Sequence, residues 1–147
     1  MRDEKPPSRL FTYQTQLSAI QVLAHVLNFR KRANAATDDL KRSIVENNPH
    51  NEELYVCKKS PSPFRNRDFR NRRVWMQMDD CSFLISTMPI VEDDHLANAD
   101  KVVRGRFPLV MKITPTSDNE CSVEYVIQID FEGTVPAMIT NMCVRLS

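Results

Sequence analysis

Apolar and polar residues alternate most regularly in the last third of the chain. Between Phe107 and Ile113 every second residue is apolar, and after a polar turn at 116–119 a second alternation runs from Cys121 to Phe131, interrupted only by Val126. A period of two places successive side chains on opposite faces of a β-strand. The pattern therefore predicts two neighbouring strands that share one dry face.

Shorter β-prone segments occupy the middle of the chain, and one lies near its start. Leu40–Glu46 and Glu53–Lys59 flank a turn that contains Asn and Pro, whereas Arg70–Met78 and Ser82–Met88 flank a pair of aspartates. Turn-forming residues between two β-prone runs are typical of hairpins. With a further run at Leu10–Thr15, the segments predict an antiparallel sheet of six or seven strands.

Two segments have the period of an amphipathic helix. Ser18, with Gln21 three residues later, is a capping-box signature that begins a helix predicted over Ala19–Arg32. Its apolar positions at helical spacing are expected to face the core. These positions are Ile20, Leu23, Ala24 and Leu27. A second helix is predicted over Pro136–Leu146, since proline suits the first turn of a helix. The elements together predict an α+β domain in which helices cover the dry face of a curved antiparallel sheet.

The composition excludes several classes of protein. The 147 residues include 20 Lys and Arg against 19 Asp and Glu, a net charge of +1, so the chain as a whole is neither strongly basic nor strongly acidic. Only two glycines are present, which argues against the glycine-rich loops that bind nucleotide phosphates. The length fits a single domain, expected over residues 9–147, after a disordered tail at residues 1–8 that is rich in charge and proline.

The cysteines, histidines and hydropathy indicate neither a metal site nor a membrane span. The four cysteines are far apart and are expected to be free thiols, and the three histidines lie apart from them, so no metal or cofactor is predicted. Because no nucleophile lies in a recognisable activating motif, we expect a non-enzyme. No apolar run reaches the roughly 18 residues of a membrane span, and the first residues are too polar for a signal peptide. A cytoplasmic location is therefore expected.

Three stretches together resemble the motifs of one family. They are 59–63 (KSPSP) leading into 66–69 (NRDF), 102–104 (VVR), and 130–136 (DFEGTVP) with Ile139 and Asn141. They are similar to the START (StAR-related lipid-transfer) domains, in which P-x-P-x-x-x-R-D-[FY] opens a central strand. In the same family D-x-x-G-x-[IV]-P-x-x-[IL]-x-N joins the last strand to the C-terminal helix. Both motifs occur here in family order, and the resemblance covers roughly Leu10 to Leu146.

The resemblance implies a helix-grip fold, in which the curved sheet wraps a C-terminal helix around a cavity for one lipid, without catalysis. The implied ligand is a phospholipid or a sterol. Two departures from the family are expected: its N-terminal helix and first strands are missing or vestigial, and its long C-terminal helix is cut off at Ser147. The alternative is a ligand-free module of the same fold that acts as a protein-interaction or scaffold domain. An enzyme of the related cyclase type ranks last, because Tyr125 is the only polar side chain on the dry face of the last strand.

The lipid-binding residues are proposed partly from this resemblance. The arginine that corresponds to Arg67 lies in the cavity of phosphatidylcholine-binding members, where a guanidinium suits a phosphate. In the alternative interpretation, Arg67 pairs with Asp68 or another buried carboxylate and fixes the end of a strand. Apolar residues of the dry face and the second helix would line the cavity or, in another fold, form an ordinary core. They are Phe107, Met111, Tyr125, Phe131, Met138 and Met142.

A basic cluster lies between residues 58 and 73. It holds seven Lys and Arg residues against one carboxylate, Asp68, a local net charge of 7 − 1 = +6. One interpretation is transient contact with an anionic membrane surface, to which each basic residue near the bilayer contributes about 1 kcal/mol. The residues proposed for this contact are Lys58, Lys59, Arg65 and Arg70. The other interpretation is a solvated strand face, because alternation separates Arg72 from Arg73. Nucleic acid is disfavoured, since no repeat of stacking aromatics accompanies the charge.

Overall fold

The computed structural model describes residues 7–28, 39–91 and 102–131, which form eight strands and one helix. The elements are β1 (Arg9–Thr15), α1 (Ala19–Leu27), β2 (Asp39–Asn48), β3 (Asn51–Lys58), β4 (Asn66–Gln77), β5 (Phe83–Pro89), β6 (Val102–Arg104), β7 (Leu109–Ser117) and β8 (Glu120–Ile127). The predicted helix Pro136–Leu146, with Met138 and Met142, lies outside the described residues, as do the last four residues of the predicted helix Ala19–Arg32.

The strands form one curved sheet in the order β1-β8-β7-β5-β4-β3-β2, and all neighbours in this order are antiparallel. The predicted hairpins are present as β2–β3, β4–β5 and β7–β8. The strand β6 pairs in parallel with the first three residues of β4 and raises the number of strands to eight. The sequence pattern predicts only six or seven strands, because a segment of three residues is too short to show an alternation.

The sheet has an inner face that packs against α1. Buried side chains from several strands meet on this face beneath the helix, among them Ile85, Ile113 and Val123. The register places Tyr125, Met111, Ile85 and Trp75 opposite one another across four strands. The predicted alternation is confirmed here, because Val126 and Val74, which have the other parity, are exposed on the outer face.

The helix α1 begins as predicted but buries a partly different stripe. Ser18 caps it: the backbone N–H of Gln21 donates to Ser18 Oγ at 3.3 Å, and the N–H of Ser18 donates to Gln21 Oε1 at 3.0 Å. The predicted stripe is wrong at Ile20, which is 59% exposed, and at Ala24, which is also exposed. The buried positions are Ala19, Val22 and Leu23. The prediction is confirmed at Leu23, which is buried, and at Leu27, which packs against the same cluster. The buried stripe is thus displaced toward Ala19 and Val22, and periodicity alone could not choose between neighbouring apolar positions.

Candidate functional site

The inner face changes from apolar to charged along one row of the sheet. This row runs through Ile127, Leu109, Thr87, Arg73 and Glu52 on five adjacent strands. The neighbouring row, from Tyr125 to Trp75, carries only apolar and aromatic side chains. The face therefore has an apolar part beneath α1 and a polar part on β3 and β4.

Arg73 is the central residue of the polar part. Its side chain is buried, with the residue 4% exposed, and its Nη2 lies 2.7 Å from Glu52 Oε2 in a buried ion pair. The same guanidinium donates to the backbone carbonyls of Val26 and Leu27, both at 2.9 Å. The last carbonyls of a helix have no partner within the helix, and a cation at this end is stabilising. Arg73 thus joins the end of α1 to strands β3 and β4.

Three buried polar atoms on β3 and β4 have no hydrogen-bond partner within the described ranges. One is Oδ1 of Asn51, and the other two are Nε of Arg73 and Oδ1 of Asn71, a donor and an acceptor on successive inner-face positions of β4. Buried polar atoms are normally hydrogen-bonded, so an unpartnered pair requires an explanation. A bound molecule with a hydroxyl group could bind both atoms, because a hydroxyl accepts a hydrogen bond from Arg73 Nε and donates one to Asn71 Oδ1. No sequence motif marks Asn71, Arg73 or Glu52 as site residues, although the alternation places Arg73 on the same face as Trp75.

Arg67 lies on the same face of β4, nearer the start of the strand. It is 7% exposed, and its guanidinium donates to the backbone carbonyls of Phe131, at 3.3 Å from Nε, and of Arg65. Burial lowers the pKa of Arg67. No carboxylate in the described part of the chain lies within ion-pair distance of it. Arg67 is thus a desolvated cation held by neutral acceptors.

The alternative in which Arg67 pairs with Asp68 is wrong. Asp68 accepts both hydrogen bonds of a bidentate pair from Arg104, at 2.7 and 3.0 Å. Neighbouring residues of a strand point to opposite faces, so Arg67 and Asp68 cannot share one side of the sheet. The Asp68 carboxylate raises the pKa of Arg104. Burial, helped by the charge of Asp68, raises the pKa of the nearby Tyr55 to about 12.

The other predicted site residues fall into two groups on the inner face. Phe107 and Phe131 both contact Phe69 edge to face, with ring centroids 6.3 and 6.1 Å apart, beside Arg67. Met111 and Tyr125 belong instead to the cluster beneath α1, where Tyr125 stacks on a ring of β1 with centroids 4.9 Å apart. The row of the sheet that contains Arg73 lies between the two groups.

The contacts of Phe69 with Phe107 and Phe131 require that residue 105 have no side chain, and this residue is Gly105. A Cβ at Gly105 would lie 2.4 Å from Cε1 of Phe69 and 3.1 Å from the carbonyl oxygen of Asp130. We expect Gly105→Ala to lower the free energy of unfolding by about 1–3 kcal/mol, the usual effect of overpacking. Chemical denaturation measures the change. In the Phe69→Leu background the same substitution should cost at most half as much, because the smaller side chain leaves room for the methyl group. An equal cost in both backgrounds would contradict the contact.

The basic cluster does not form one patch. Arg67 and Arg73 are on the inner face, whereas Arg70 and Arg72 are on the outer face, where both donate to Glu53 at 3.1 and 3.0 Å. Lys59 and Arg65 are exposed on the connection between β3 and β4, next to the partly buried Lys58. The interpretation as a solvated strand face holds for Arg72, whose side chain is 52% exposed.

The described residues include neither a metal-binding cluster nor a membrane-spanning helix. Within residues 7–28, 39–91 and 102–131, no three His, Cys, Asp or Glu side chains are close enough to hold a metal ion. No helix in these ranges is long and apolar enough to span a bilayer. Cys57 and Cys121 are buried cysteines and Cys81 is an exposed one, and none of these three forms a disulfide.

The sequence matches one family model, described as the START domain, over residues 6–147. No curated protein matches the chain at a significant level.

Solved structures match the fold at low sequence identity. Human STARD10 superposes with a TM-score of 0.78 and 16% identity, over 92% of this chain and 56% of that one. The lipid transfer and protein localization domain of human StarD13 (DLC2) gives 0.70 and 20%, over 88% and 66%. A STAR-related lipid transfer protein fragment from Xanthomonas axonopodis gives 0.75 and 16%, over 93% and 76%. The chain thus spans less than two thirds of the two human structures, and the predicted fold class, α+β of the helix-grip type, is confirmed.

Proposed function

The chain belongs to the START domain family, whose members are lipid-transfer domains, and from this premise we propose that it binds one lipid against the inner face of its sheet. The proposed role is lipid binding or transfer without catalysis. The proposal is limited to the sheet that the structure describes, because the two human structures are considerably longer than this chain.

One observation carries the proposal: the buried Arg73 Nε and Asn71 Oδ1, both unpartnered in the described part of the molecule, lie beside an apolar row. A lipid has the same division, a polar group at one end and a hydrocarbon body. In our proposal Met111 and Tyr125 contact the hydrocarbon, as do Phe107 and Phe131 near Arg67. Met138 and Met142 stay predicted lining residues, because they lie outside the described ranges.

Two polar positions on this face suit different lipids. Arg67 is a buried cation whose described hydrogen-bond partners are both neutral, so a phosphate would supply the missing negative charge. Asn71 and Arg73 offer one acceptor and one donor, which fit a hydroxyl group such as that of a sterol. We propose a phospholipid as the preferred ligand, because a charge-assisted bond to Arg67 is the stronger of the two interactions.

Delivery of a lipid requires contact with a membrane. We propose that Lys59 and Arg65, exposed on the β3–β4 connection, make this contact with the help of Lys58. Arg70, the fourth residue predicted for it, is held by Glu53 on the outer face and contributes less. A cytoplasmic location fits this proposal, since the anionic leaflet that attracts basic residues faces the cytoplasm.

Native mass spectrometry of the protein purified from cells tests the proposed function. We expect a species heavier than the protein by the mass of one lipid, and extraction should identify the lipid. Purified protein incubated with liposomes of phosphatidylcholine and cholesterol should take up about one lipid per molecule. Absence of lipid in both experiments, with the protein folded, would contradict the proposal and favour the scaffold alternative.

A further inference from the structure

A cleft of about 300 Å³ lies away from the inner face, at a gap beside β4. β5 pairs with residues 71–77 of β4 and β6 with residues 66–68, so the edge of β4 is open between them. The two sides of the cleft are the segment 89–91 and the segment 104–106. Backbone bonds fix both sides: the N–H of Ile90 donates to the carbonyl of Arg70 at 3.0 Å, and that of Gly105 to the carbonyl of Asp68 at 2.8 Å.

Three arginines, Arg70, Arg104 and Arg106, are the only charged residues among the described residues that line the cleft. Carboxylates outside the lining hold Arg104 and Arg70 in place. Arg104 donates to Asp68 through Nε and Nη2, so its Nη1 group takes no part in that pair. Arg70 donates to Glu53 through Nη2 at 3.1 Å. Side chains that are already ordered lose less conformational entropy when a ligand binds.

We propose that this cleft binds a phosphate monoester dianion. Arginine presents several N–H donors in a plane and pairs with phosphate in bidentate geometry. A volume of about 300 Å³ is at the lower end of the range for small-molecule sites, which suits a compact anion. The site is separate from the proposed lipid site, because Arg70 and Arg104 pair with outer-face carboxylates whereas Arg67 and Arg73 are on the inner face.

The sequence offers a direct reporter for this site. Gly105 lies in the cleft and is one of only two glycines in the chain, so its amide signal in a ¹H–¹⁵N NMR spectrum is readily assigned. We expect titration with inorganic phosphate, at ionic strength held constant with sodium chloride, to shift the Gly105 signal along a saturable curve. Arg106→Gln should weaken phosphate binding by about tenfold or more, as expected for the loss of a charge-assisted bond. Arg70→Gln serves as a second variant if Arg106→Gln does not fold.

Arg72→Gln is the matched control, because Arg72 also pairs with Glu53 but does not line the cleft. It should bind phosphate like the parent protein. A Gly105 shift that rises linearly without saturation, or that is the same in parent, Arg106→Gln and Arg70→Gln proteins, would overturn the proposal.

The phosphate could belong to a lipid headgroup or to a soluble compound, and vesicle flotation distinguishes them. If Arg106→Gln lowers flotation with vesicles containing phosphatidic acid, but not with pure phosphatidylcholine, the source is a membrane headgroup. Unchanged flotation together with saturable phosphate binding indicates a soluble phosphate ester, and either result supports the site. Lipid uptake by Arg106→Gln should match the parent, so this inference and the proposed function can fail independently.

Discussion

Arg73→Met is expected to lower the free energy of unfolding by about 3–5 kcal/mol, because it leaves a buried charge without its partner. Glu52, which is 8% exposed, would keep a desolvated carboxylate with no cation beside it. The substitution also removes the donor to the carbonyls of Val26 and Leu27 at the end of α1. For domains with a stability of about 5–15 kcal/mol this is a large fraction. Urea denaturation followed by circular dichroism measures it.

The adjacent residue provides the control. Arg72→Met removes an arginine that also pairs with a glutamate, but on the outer face, where exposed ion pairs contribute about 0–1 kcal/mol. The double variant Glu52→Gln/Arg73→Met should be more stable than Arg73→Met alone, since no charge is then buried unpaired. Similar losses for Arg72→Met and Arg73→Met, or no recovery in the double variant, would contradict the assigned role.

Arg67→Leu is expected to reduce binding of a phosphate-bearing lipid by about 1.5–3 kcal/mol, a charge-assisted hydrogen bond's contribution. Stability should change by less than about 2 kcal/mol, because the loss of two bonds to carbonyls is offset by removal of a desolvated cation. Uptake of phosphatidylcholine is compared with that of diacylglycerol, which has the same acyl chains and no phosphate. In Arg67→Leu, uptake of phosphatidylcholine should fall, whereas uptake of diacylglycerol should not.

Arg72→Leu is the matched control for this experiment, since Arg72 lies on the same strand but is exposed on the outer face. It should leave uptake of both lipids unchanged. A melting temperature that falls steeply in Arg67→Leu, with phosphatidylcholine uptake per folded molecule intact, would remove Arg67 from the lipid site and assign it a structural role.

Much of the fold could be predicted because its signals are local. The alternation along Cys121–Phe131 requires only that one side of a strand be dry, and the capping box of α1 needs only Ser18 and Gln21. The displacement of the buried stripe of α1 could not be predicted, since Ile20 and Val22 are equally apolar and the choice depends on what β7 and β8 present to the helix.

The candidate site could be predicted less well because its contacts are distant in sequence. Arg104 pairs with Asp68 across 36 residues, and Arg73 reaches Val26 across 47 residues. Such pairings follow from the register of the strands, which periodicity does not fix. The family motif indicated Arg67. That Arg67 does not pair with Asp68 could also be predicted, because adjacent residues of a strand point to opposite faces of the sheet.

The pairing of β1 with β8 has a consequence for synthesis on the ribosome. Arg9 lies opposite Ile127, and Thr15 opposite Cys121, so the first strand finds its neighbour only after more than roughly 100 further residues have been translated. By contrast, β2 and β3 can pair with each other as soon as both have been translated, because only a two-residue turn separates them. The nascent chain can therefore build the sheet from β2 toward β5 as it emerges. Until β8 is available, β1 is a strand without its pairing partner, and unpaired strand edges favour aggregation.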